Sequence, residues 1–413
     1  MSILLSRRQL LVGGVGAAGL LAAGRWPRPC FGEQAPAPWP PDRSLEAPSS
    51  PVAIQRCESY EPQVVRRQLD ATLRLLGGIG DLVRGKTVTV KLNLTGGTGP
   101  CCGLPAYRTY HTHPTMVAAL CAVLSEAGAK FVYLVESFYF RKPPEEALKA
   151  AGWDVEAIQS AGDHRVTFEN TRNRGTWPSY ARLKVSWGGF VYPAFDVHPR
   201  YEKTDVLISL AKLKDHGAAG MTAAVKNLFG MPPLALYGDD APNEDGLQAR
   251  VAVFHLARKR AAAGAPDEIG PKLPEGEPAW KFRVPRITAD CLGARPVDLA
   301  IVEAVETVTG GEGPWMKDLK PVAPKLLLAG RNAVCTDAVS AAVMGYDPQA
   351  AHMQYPFQGE NPLRLLASAG AGTNDLKRIE VRGLPVDQVR HPFHTPPAAG
   401  TACSRSYYAA VVA

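Results

Sequence analysis

The sequence predicts an α/β fold in which a mostly parallel β-sheet is flanked by helices. Short segments rich in β-branched residues, typical of buried strands, alternate with segments whose apolar residues recur at helical spacing. Strands separated by helices usually pair in parallel through right-handed crossovers. The composition agrees with this class, since 46% of the 413 residues are hydrophobic and 21% are charged. These fractions exclude a wholly disordered chain, a collagen, a coiled coil and a polytopic membrane protein.

The first half of the chain contains clear start and stop signals. Proline at the first helical position predicts a helix that begins after His113, and a glycine predicts its end at Gly128. A glycine pair predicts the turn of a β-hairpin. The predicted elements are a strand at 86–94, the helix at 114–128, a strand at 130–135, a short helix at 144–152, and the hairpin at 182–195 around Gly188-Gly189.

The second half continues the alternation but contains a polar interruption. Residues 238–285 are polar and rich in Pro, Gly and Ala, so we expect an insertion that forms a lid. The predicted elements are strands at 204–210, 297–302 and 325–328, helices at 337–344 and 362–369, and a last strand at 377–382.

The two ends of the chain differ in composition from its centre. Residues 1–30 predict a twin-arginine signal peptide, with Arg7-Arg8, a mildly apolar stretch at 12–23 and small residues near a cleavage point. The apolar stretch is shorter than the ~20 residues of a membrane span, which argues against an uncleaved anchor. We expect a Pro- and Ala-rich linker at 31–50, an α/β domain of one unit or two lobes at 51–390, and a tail at 391–413.

The predicted signal peptide and the net charge indicate the location of the protein and the class of its ligand. The twin-arginine export machinery is an expected partner, and we expect the mature protein in the periplasm or another extracytoplasmic space, without a stable transmembrane segment. The net charge is +7, but the basic residues are scattered. This pattern favours a small anionic ligand over nucleic acid.

Ligands of open α/β sheets bind beyond the carboxyl ends of the strands, which here are the loops at 93–113, 136–141, 211–230 and 303–315. The third loop combines lysines, a histidine and an asparagine with small residues that allow close backbone approach. This combination suits a phosphate or carboxylate, and a solvated basic loop is the alternative. The candidates are Lys212, Lys214, His216, Thr222, Lys226 and Asn227, with Thr222 also a candidate helix cap.

Other polar residues in and near these loops have both a functional and a structural interpretation. His111 and His113 are candidate metal ligands, because alternate residues of an extended loop point the same way, or they belong to a helix start. The remaining candidates are Lys91, Asn93 and Glu312 for ligand binding, Glu136 for a metal or a backbone donor, His255 for the core edge or a ligand, and Asp337 for a helix cap.

The spacing of the eight cysteines and the absence of several motifs disfavour particular metal sites and enzyme classes. No cysteine spacing matches a zinc ribbon or an iron–sulfur cluster, and the disulfide connectivity stays open. Cys101-Cys102 is either a loop pair or a redox or metal thiol pair beside the site. The P-loop, dinucleotide-binding, nucleophile-elbow and zincin motifs are missing, which disfavours the corresponding enzyme classes.

The order of motifs resembles the family called domain of unknown function 362 over about residues 85 to 383. The most specific pieces are Lys212-Leu-Lys214-Asp-His216 and Lys226-Asn227-Leu-Phe-Gly230. The remaining pieces are Val90-Lys91-Leu-Asn93, His113-Pro114, Glu136, Gly311-Glu312-Gly313-Pro314 and Asp337-Ala-Val. The resemblance implies an α/β domain, which in this family is sometimes fused to ferredoxin-like modules. The sequence lacks the cysteines of such a module, so no iron–sulfur cluster is carried over.

A shorter segment is similar to nickel-pincer lactate racemases. The stretch from His216 to Lys226 has the spacing at which those enzymes place a histidine, a loop of small residues and a lysine, although Met-Thr-Ala-Ala replaces part of that loop. The resemblance implies that Lys226 anchors a cofactor, that His216 binds the metal, and that His113 transfers protons.

Three functional hypotheses follow. The first is an exported enzyme that acts on or with a small anion or a metal-containing cofactor, with an isomerase- or oxidoreductase-like activity. His216, Lys226 and His113 are its catalytic candidates, since histidine titrates near neutral pH. A divalent metal, held by His216, His111, His113 and Glu136, is its candidate cofactor. The alternatives are a non-catalytic periplasmic binder of an anion or metal, and an assembly partner whose lysines contact another protein.

Overall fold

The computed structural model describes residues 39–271 and 273–393. The signal peptide expected at 1–30 and the tail from residue 394 onward lie outside the described residues. The predicted fold class is confirmed, because a mixed and mostly parallel sheet of eight strands is flanked by helices.

The strands are short, with lengths between three and seven residues. In the described part of the chain they are β1 Val52–Arg56, β2 Thr87–Lys91, β3 Phe131–Glu136, β4 Val166–Asn170, β5 Ala181–Lys184, β6 Ala194–Val197, β7 Val206–Lys212, β8 Lys214–His216, β9 Gly220–Thr222, β10 Leu299–Ala304, β11 Thr307–Thr309, β12 Lys320–Val322, β13 Leu326–Gly330 and β14 Val381–Gly383.

The helices range from single turns to 15 residues. In the described residues they are α1 Pro62–Leu75, α2 Gly80–Val83, α3 Pro114–Glu126, α4 Pro144–Ala150, α5 Val155–Ala161, α6 Ala224–Asn227, α7 Leu234–Tyr237, α8 Trp280–Ala294, α9 Ala333–Val343, α10 Pro362–Ser368 and α11 Val386–Val389. No helix within these ranges combines the length and the apolar character needed to cross a bilayer.

The main sheet has the strand order β14-β1-β13-β10-β7-β2-β3-β4. The run from β10 through β7, β2 and β3 to β4 is parallel, while β13 pairs antiparallel with both β1 and β10. The predicted hairpin is present as the separate ribbon of β5 and β6. Because β2, β3 and β7 are parallel neighbours, their carboxyl ends open onto one edge of the sheet.

The two faces of the sheet bury two hydrophobic clusters. Strand β7 sends Leu207 into one cluster and Ile208 into the other, as the alternation of side chains along a strand requires. Helices α1, α3 and α5 cover the face that contains Ile208, and helices α8, α9 and α10 cover the opposite face. The sheet is therefore covered on both sides, as in other parallel α/β proteins.

Several elements were not predicted from the sequence, among them β1, β4, α1, α5 and α8. The apolar residues Val65, Leu69 and Leu73 of α1 recur every fourth position, so a helical signal was present there. Helix α8 lacks such a signal, because charged side chains such as Arg283 and Asp290 are buried along with its apolar residues. A helix buried on all sides has no polar face to mark it.

Three predicted segments differ in detail from the observed chain. Residues 43–50, within the expected linker, contact the domain, since the Arg43 N–H donates to a carbonyl of α10 and Ala47 is fully buried. The insertion expected at 238–285 contains a π-helix at Val251–His255, and its last residues belong to α8. Helix α9 begins after Asn332, whose side chain caps it, so Asp337 does not cap that helix.

Candidate functional site

A cavity of about 250 Å³ lies at the carboxyl ends of β2, β3 and β7. Nine residues predicted from the sequence line it, and they are Lys91, Asn93, Glu136, Lys214, His216, Thr222, Lys226, Asn227 and Glu312. We call this space, with these lining residues, the lysine cavity. All four loops expected at the carboxyl ends of the strands contribute to it, as the rule for open α/β sheets anticipates.

A buried ion pair forms one wall of the lysine cavity. The Lys91 ammonium donates to Glu136 Oε1 at 2.5 Å and to the carbonyl of Leu92 at 2.8 Å. The Glu136 carboxylate also accepts the backbone N–H groups of Leu94 and Ser137, both at 2.8 Å. Burial lowers the pKa of Lys91, and the Glu136 charge opposes that shift. Lys91 and Glu136 therefore neutralise each other, and the Glu136 carboxylate has its hydrogen-bond donors within the protein.

A carboxylate from a distant helix positions the lysine loop. Asp337 in α9 accepts the N–H groups of Ala224 and Val225 at 2.9 and 2.8 Å. It therefore caps α6, the helix that carries Lys226, whereas the predicted cap Thr222 lies in β9. Burial raises the pKa of Asp337 to about 7. The cap connects the cavity to the core of the domain.

Two lysines of the cavity have no ion-pair partner at contact distance among the described residues. The Lys226 ammonium lies over the Phe229 ring, 4.0 Å from its centroid, and burial lowers its pKa to about 8. The Lys214 ammonium donates to the Tyr110 carbonyl at 2.5 Å, and burial lowers its pKa to about 7. The Glu312 charge opposes both shifts. Both pKa values lie near neutral pH, so an anionic ligand beside either lysine would favour its charged form.

His216 is a neutral ring at the edge of the cavity. Burial, reinforced by the charge of a neighbouring lysine, lowers its pKa well below the usual value. Its Nδ1 accepts the Ala218 N–H at 3.1 Å, so the ring proton resides on Nε2. Glu312 lies 4.0 Å from that Nδ1 and instead accepts from the Gly217 N–H and the Trp315 indole. His216 thus offers a hydrogen-bond donor.

Several lining residues were not recognised as site residues from the sequence. Arg250 in the insertion is 4% exposed, and its guanidinium donates to the carbonyl of Pro232 and, at 2.9 Å, to Ser137 Oγ. His255, for which the sequence allows either a core position or a ligand, also lines the cavity and lies edge-on to Phe229. The sequence signal that could have identified Arg250 as a site residue is its positive charge within a polar insertion.

Buried acceptor oxygens add to the polarity of the cavity walls. The Asn227 amide donates to the Lys91 carbonyl and to Ser209 Oγ, both at 3.1 Å, which fixes its orientation. Its Oδ1, like Asn93 Oδ1 and Thr222 Oγ1, receives no hydrogen bond from the described residues. An unpaired buried acceptor costs about 1–3 kcal/mol. The cavity walls therefore contain acceptor oxygens to which no described residue donates a hydrogen bond.

Lys212 and His113 do not line the lysine cavity. The Lys212 ammonium pairs with Glu303 at 3.2 Å and donates to the Tyr60 hydroxyl at 2.9 Å. His113 stacks on Tyr60 with ring centroids 3.5 Å apart, and its Nδ1 accepts the Thr115 N–H that begins α3. Burial lowers the pKa of His113 to about 2. Both side chains belong to a buried network beside the cavity.

The four predicted metal ligands do not converge in the described structure. His216 and Glu136 line the cavity, but His113 does not, and His111 Nε2 contacts the Thr95 carbonyl at 2.8 Å. Within residues 39–271 and 273–393, no three His, Cys, Asp or Glu side chains form a group that could hold a metal ion.

The predicted cysteine pair lies outside the lysine cavity. The sulfur atoms of Cys101 and Cys102 lie 3.7 Å apart. Cys101 is buried, and Cys102 is exposed.

Comparison with known proteins places this geometry in context. A family model described as Domain of unknown function (DUF362) matches residues 88–342, more than half of the chain. The matched range contains the lining of the lysine cavity and most of the buried network beside it, including His113, Lys212 and Glu303, but not Tyr60.

Two individual proteins are similar to parts of the chain. The thylakoid-associated protein sll1697 of Synechocystis sp. (strain ATCC 27184 / PCC 6803 / Kazusa) is 32% identical over 183 residues, which are 44% of this chain and 50% of that protein. The chain thus spans about half the length of this relative. A crystal structure of a protein from Thermotoga maritima matches with a TM-score of 0.35 and 14% identity, over 68% of this chain and 57% of that one.

Proposed function

The chain belongs to the DUF362 family, and from this premise we propose that it is an enzyme acting on a small anionic molecule bound in the lysine cavity. One observation carries the proposal. The Lys226 ammonium lines the cavity with an aromatic ring as its neighbour, and no ion pair or hydrogen bond among the described residues uses it. The side chain is partly buried, and charges held away from bulk water in proteins are normally paired, so an anion from outside the protein is the partner that this group lacks.

The chemistry of the lining favours action on the anion. With a pKa of about 8, Lys226 is a neutral amine in about a tenth of the molecules at pH 7. A lysine in this range accepts and returns protons near neutral pH. His216 supplies a neutral donor beside it, which suits an oxygen that gains negative charge during a reaction. In this proposal Lys226 moves the proton and His216 stabilises the charge.

Replacing Lys226 tests the binding part of the proposal. Calorimetry with a panel of anionic metabolites measures saturable binding, and mass spectrometry of the incubated ligand detects its conversion. We expect Lys226→Ala to bind much more weakly, while its circular dichroism stays that of the parent, because this side chain is only half-buried. The exposed Lys184 provides the matched control, and Lys184→Ala should bind normally.

The outcomes separate the hypotheses. Saturable binding without conversion contradicts the enzyme and supports the non-catalytic binder. Failure of the parent to bind any anion contradicts both and supports a role in protein assembly. Elemental analysis of the same preparation tests the predicted metal independently.

Export is a separate proposal that rests on the sequence. We propose that the twin-arginine signal directs the protein to the periplasm or an equivalent extracytoplasmic space. Replacement of Arg7 and Arg8 by lysine should leave the protein in the cytoplasm of a twin-arginine-competent host, as measured by cell fractionation. Unchanged export of this variant would contradict the proposed route.

A further inference from the structure

The lysine cavity contains more positive charge than its carboxylates balance. Lys91 is neutralised by Glu136 in direct contact. Glu312 is the second carboxylate of the lining, and its charge acts on Lys214 and Lys226 alike, so it balances one of these two lysines. The protein therefore supplies two negative charges to the cavity, and both are used within it.

Two positive charges remain after this balance, that of Arg250 and that of one lysine. We assign the second to Lys226, because Lys214 donates a hydrogen bond to the Tyr110 carbonyl, whereas Lys226 makes no hydrogen bond or ion pair with the described residues. Arg250 is nine-tenths buried or more, and its hydrogen bonds go to neutral oxygens of Pro232, Gly230 and Ser137. No ion pair among the described residues includes Arg250 or Lys226. The two cations line one cavity and repel each other, since the charge of Arg250 opposes that of Lys226. Such an arrangement is costly without a counterion between them.

We infer that the ligand of the lysine cavity is a compact dianion, such as a phosphate monoester or a dicarboxylate, held between Arg250 and Lys226. This inference rests on the proposed function and specifies its ligand class. The guanidinium and the ammonium together neutralise two negative charges, whereas a monoanion leaves one buried cation unpaired. The volume of about 250 Å³ is below that of sites for drug-sized molecules, which limits the ligand to a small molecule.

Pairs of ligands that differ mainly in charge test the inference. Isothermal titration calorimetry at pH 7.5 compares methyl phosphate with methyl sulfate, and succinate with succinamate. Within each pair the shapes are similar, but the first member carries two negative charges and the second carries one. We expect at least one dianion to bind about tenfold or more tightly than its monoanionic partner, with one molecule per chain. The pair that shows the preference distinguishes a phosphate ligand from a dicarboxylate.

A charge-removing variant provides the internal check. Lys226→Met deletes one of the two unbalanced charges at a half-buried position, so the preference for the dianion should fall to near one. Lys184→Met, at an exposed lysine, should keep the full preference. Equal binding within both pairs, or two monoanions per chain, would overturn the dianion while leaving an anion site in place. If none of the four molecules binds the parent although another anion of the metabolite panel does, the inference fails and the proposed function stands. If no anion of the panel binds either, both fail.

Discussion

The ion pair between Lys91 and Glu136 allows a quantitative test of the cavity's electrostatics. The two side chains are 1% and 6% exposed, and their charged atoms lie 2.5 Å apart. Glu136→Gln keeps the shape of the side chain but removes its charge, which leaves the Lys91 ammonium buried without a counterion. Breaking a buried pair in this way costs about 3–5 kcal/mol. We expect the free energy of unfolding at pH 7 to fall by about that amount.

The pH dependence of this loss identifies its cause. Burial already lowers the pKa of Lys91, and without the Glu136 charge the pKa falls further. Between that lowered value and the ordinary lysine pKa near 10.4, the unfolded chain binds more protons than the folded chain. Stability therefore rises with pH in this window, by up to about 1.4 kcal/mol per pH unit. The deficit of Glu136→Gln should be smaller at pH 9.5 than at pH 7.

Urea unfolding followed by tryptophan fluorescence measures both quantities. The double variant Lys91→Met with Glu136→Gln is the control, since it leaves no unpaired charge and should recover about 2 kcal/mol of the loss. A deficit below about 1 kcal/mol, or one that does not shrink as the pH rises, would show that the electrostatic reasoning is wrong.

Three further predictions concern other parts of the cavity. The pKa of Lys226 without a ligand is about 8, so the affinity for methyl phosphate should fall about tenfold for each pH unit above pH 8. Calorimetry should show no such fall for Lys226→Arg, because arginine stays protonated in this range. Asp337→Ala removes the cap of α6 and should cost about 2–4 kcal/mol in urea unfolding, and an unchanged midpoint would refute the cap. Both Gly96 and Gly97 have positive φ, but a Cβ at Gly96 would lie 2.1 Å from the Trp315 ring, whereas one at Gly97 meets nothing. Gly96→Ala should therefore lower the thermal midpoint more than Gly97→Ala and change tryptophan fluorescence, and equal effects would contradict this contact.

Much of the fold was predictable because its signals are local. Helix α3 begins at Pro114 and is followed by Gly128, and both features are visible in the sequence. The antiparallel pairing of β13 with two neighbours was not predictable, because local periodicity does not record which strand lies beside which. Helix α8 was missed since burial on all sides removes the polar face on which such a prediction depends.

The candidate site, like the fold, was predictable from the sequence only in part. The rule that ligands bind beyond the carboxyl ends of parallel strands indicated the correct loops, and nine predicted residues line the lysine cavity. His113 and Lys212 come from the same loops, but the His113 ring stacks on Tyr60 and the Lys212 ammonium pairs with Glu303, both in the buried network beside the cavity. Packing selects the direction in which a side chain points, and neither the residue type nor the position along the chain determines that direction.

The sequence by itself determined the α/β class, the chain order of most strands of the main sheet, and the concentration of lysines after a core strand. These properties depend on spacing along the chain, and spacing is printed in the sequence. Only the tertiary structure decided which lysines keep a counterion, that Arg250 joins them from the insertion, and that Asp337 caps α6 from 113 residues away. Charge balance and capping act through space over a few ångströms, so they emerge only when distant segments are folded together.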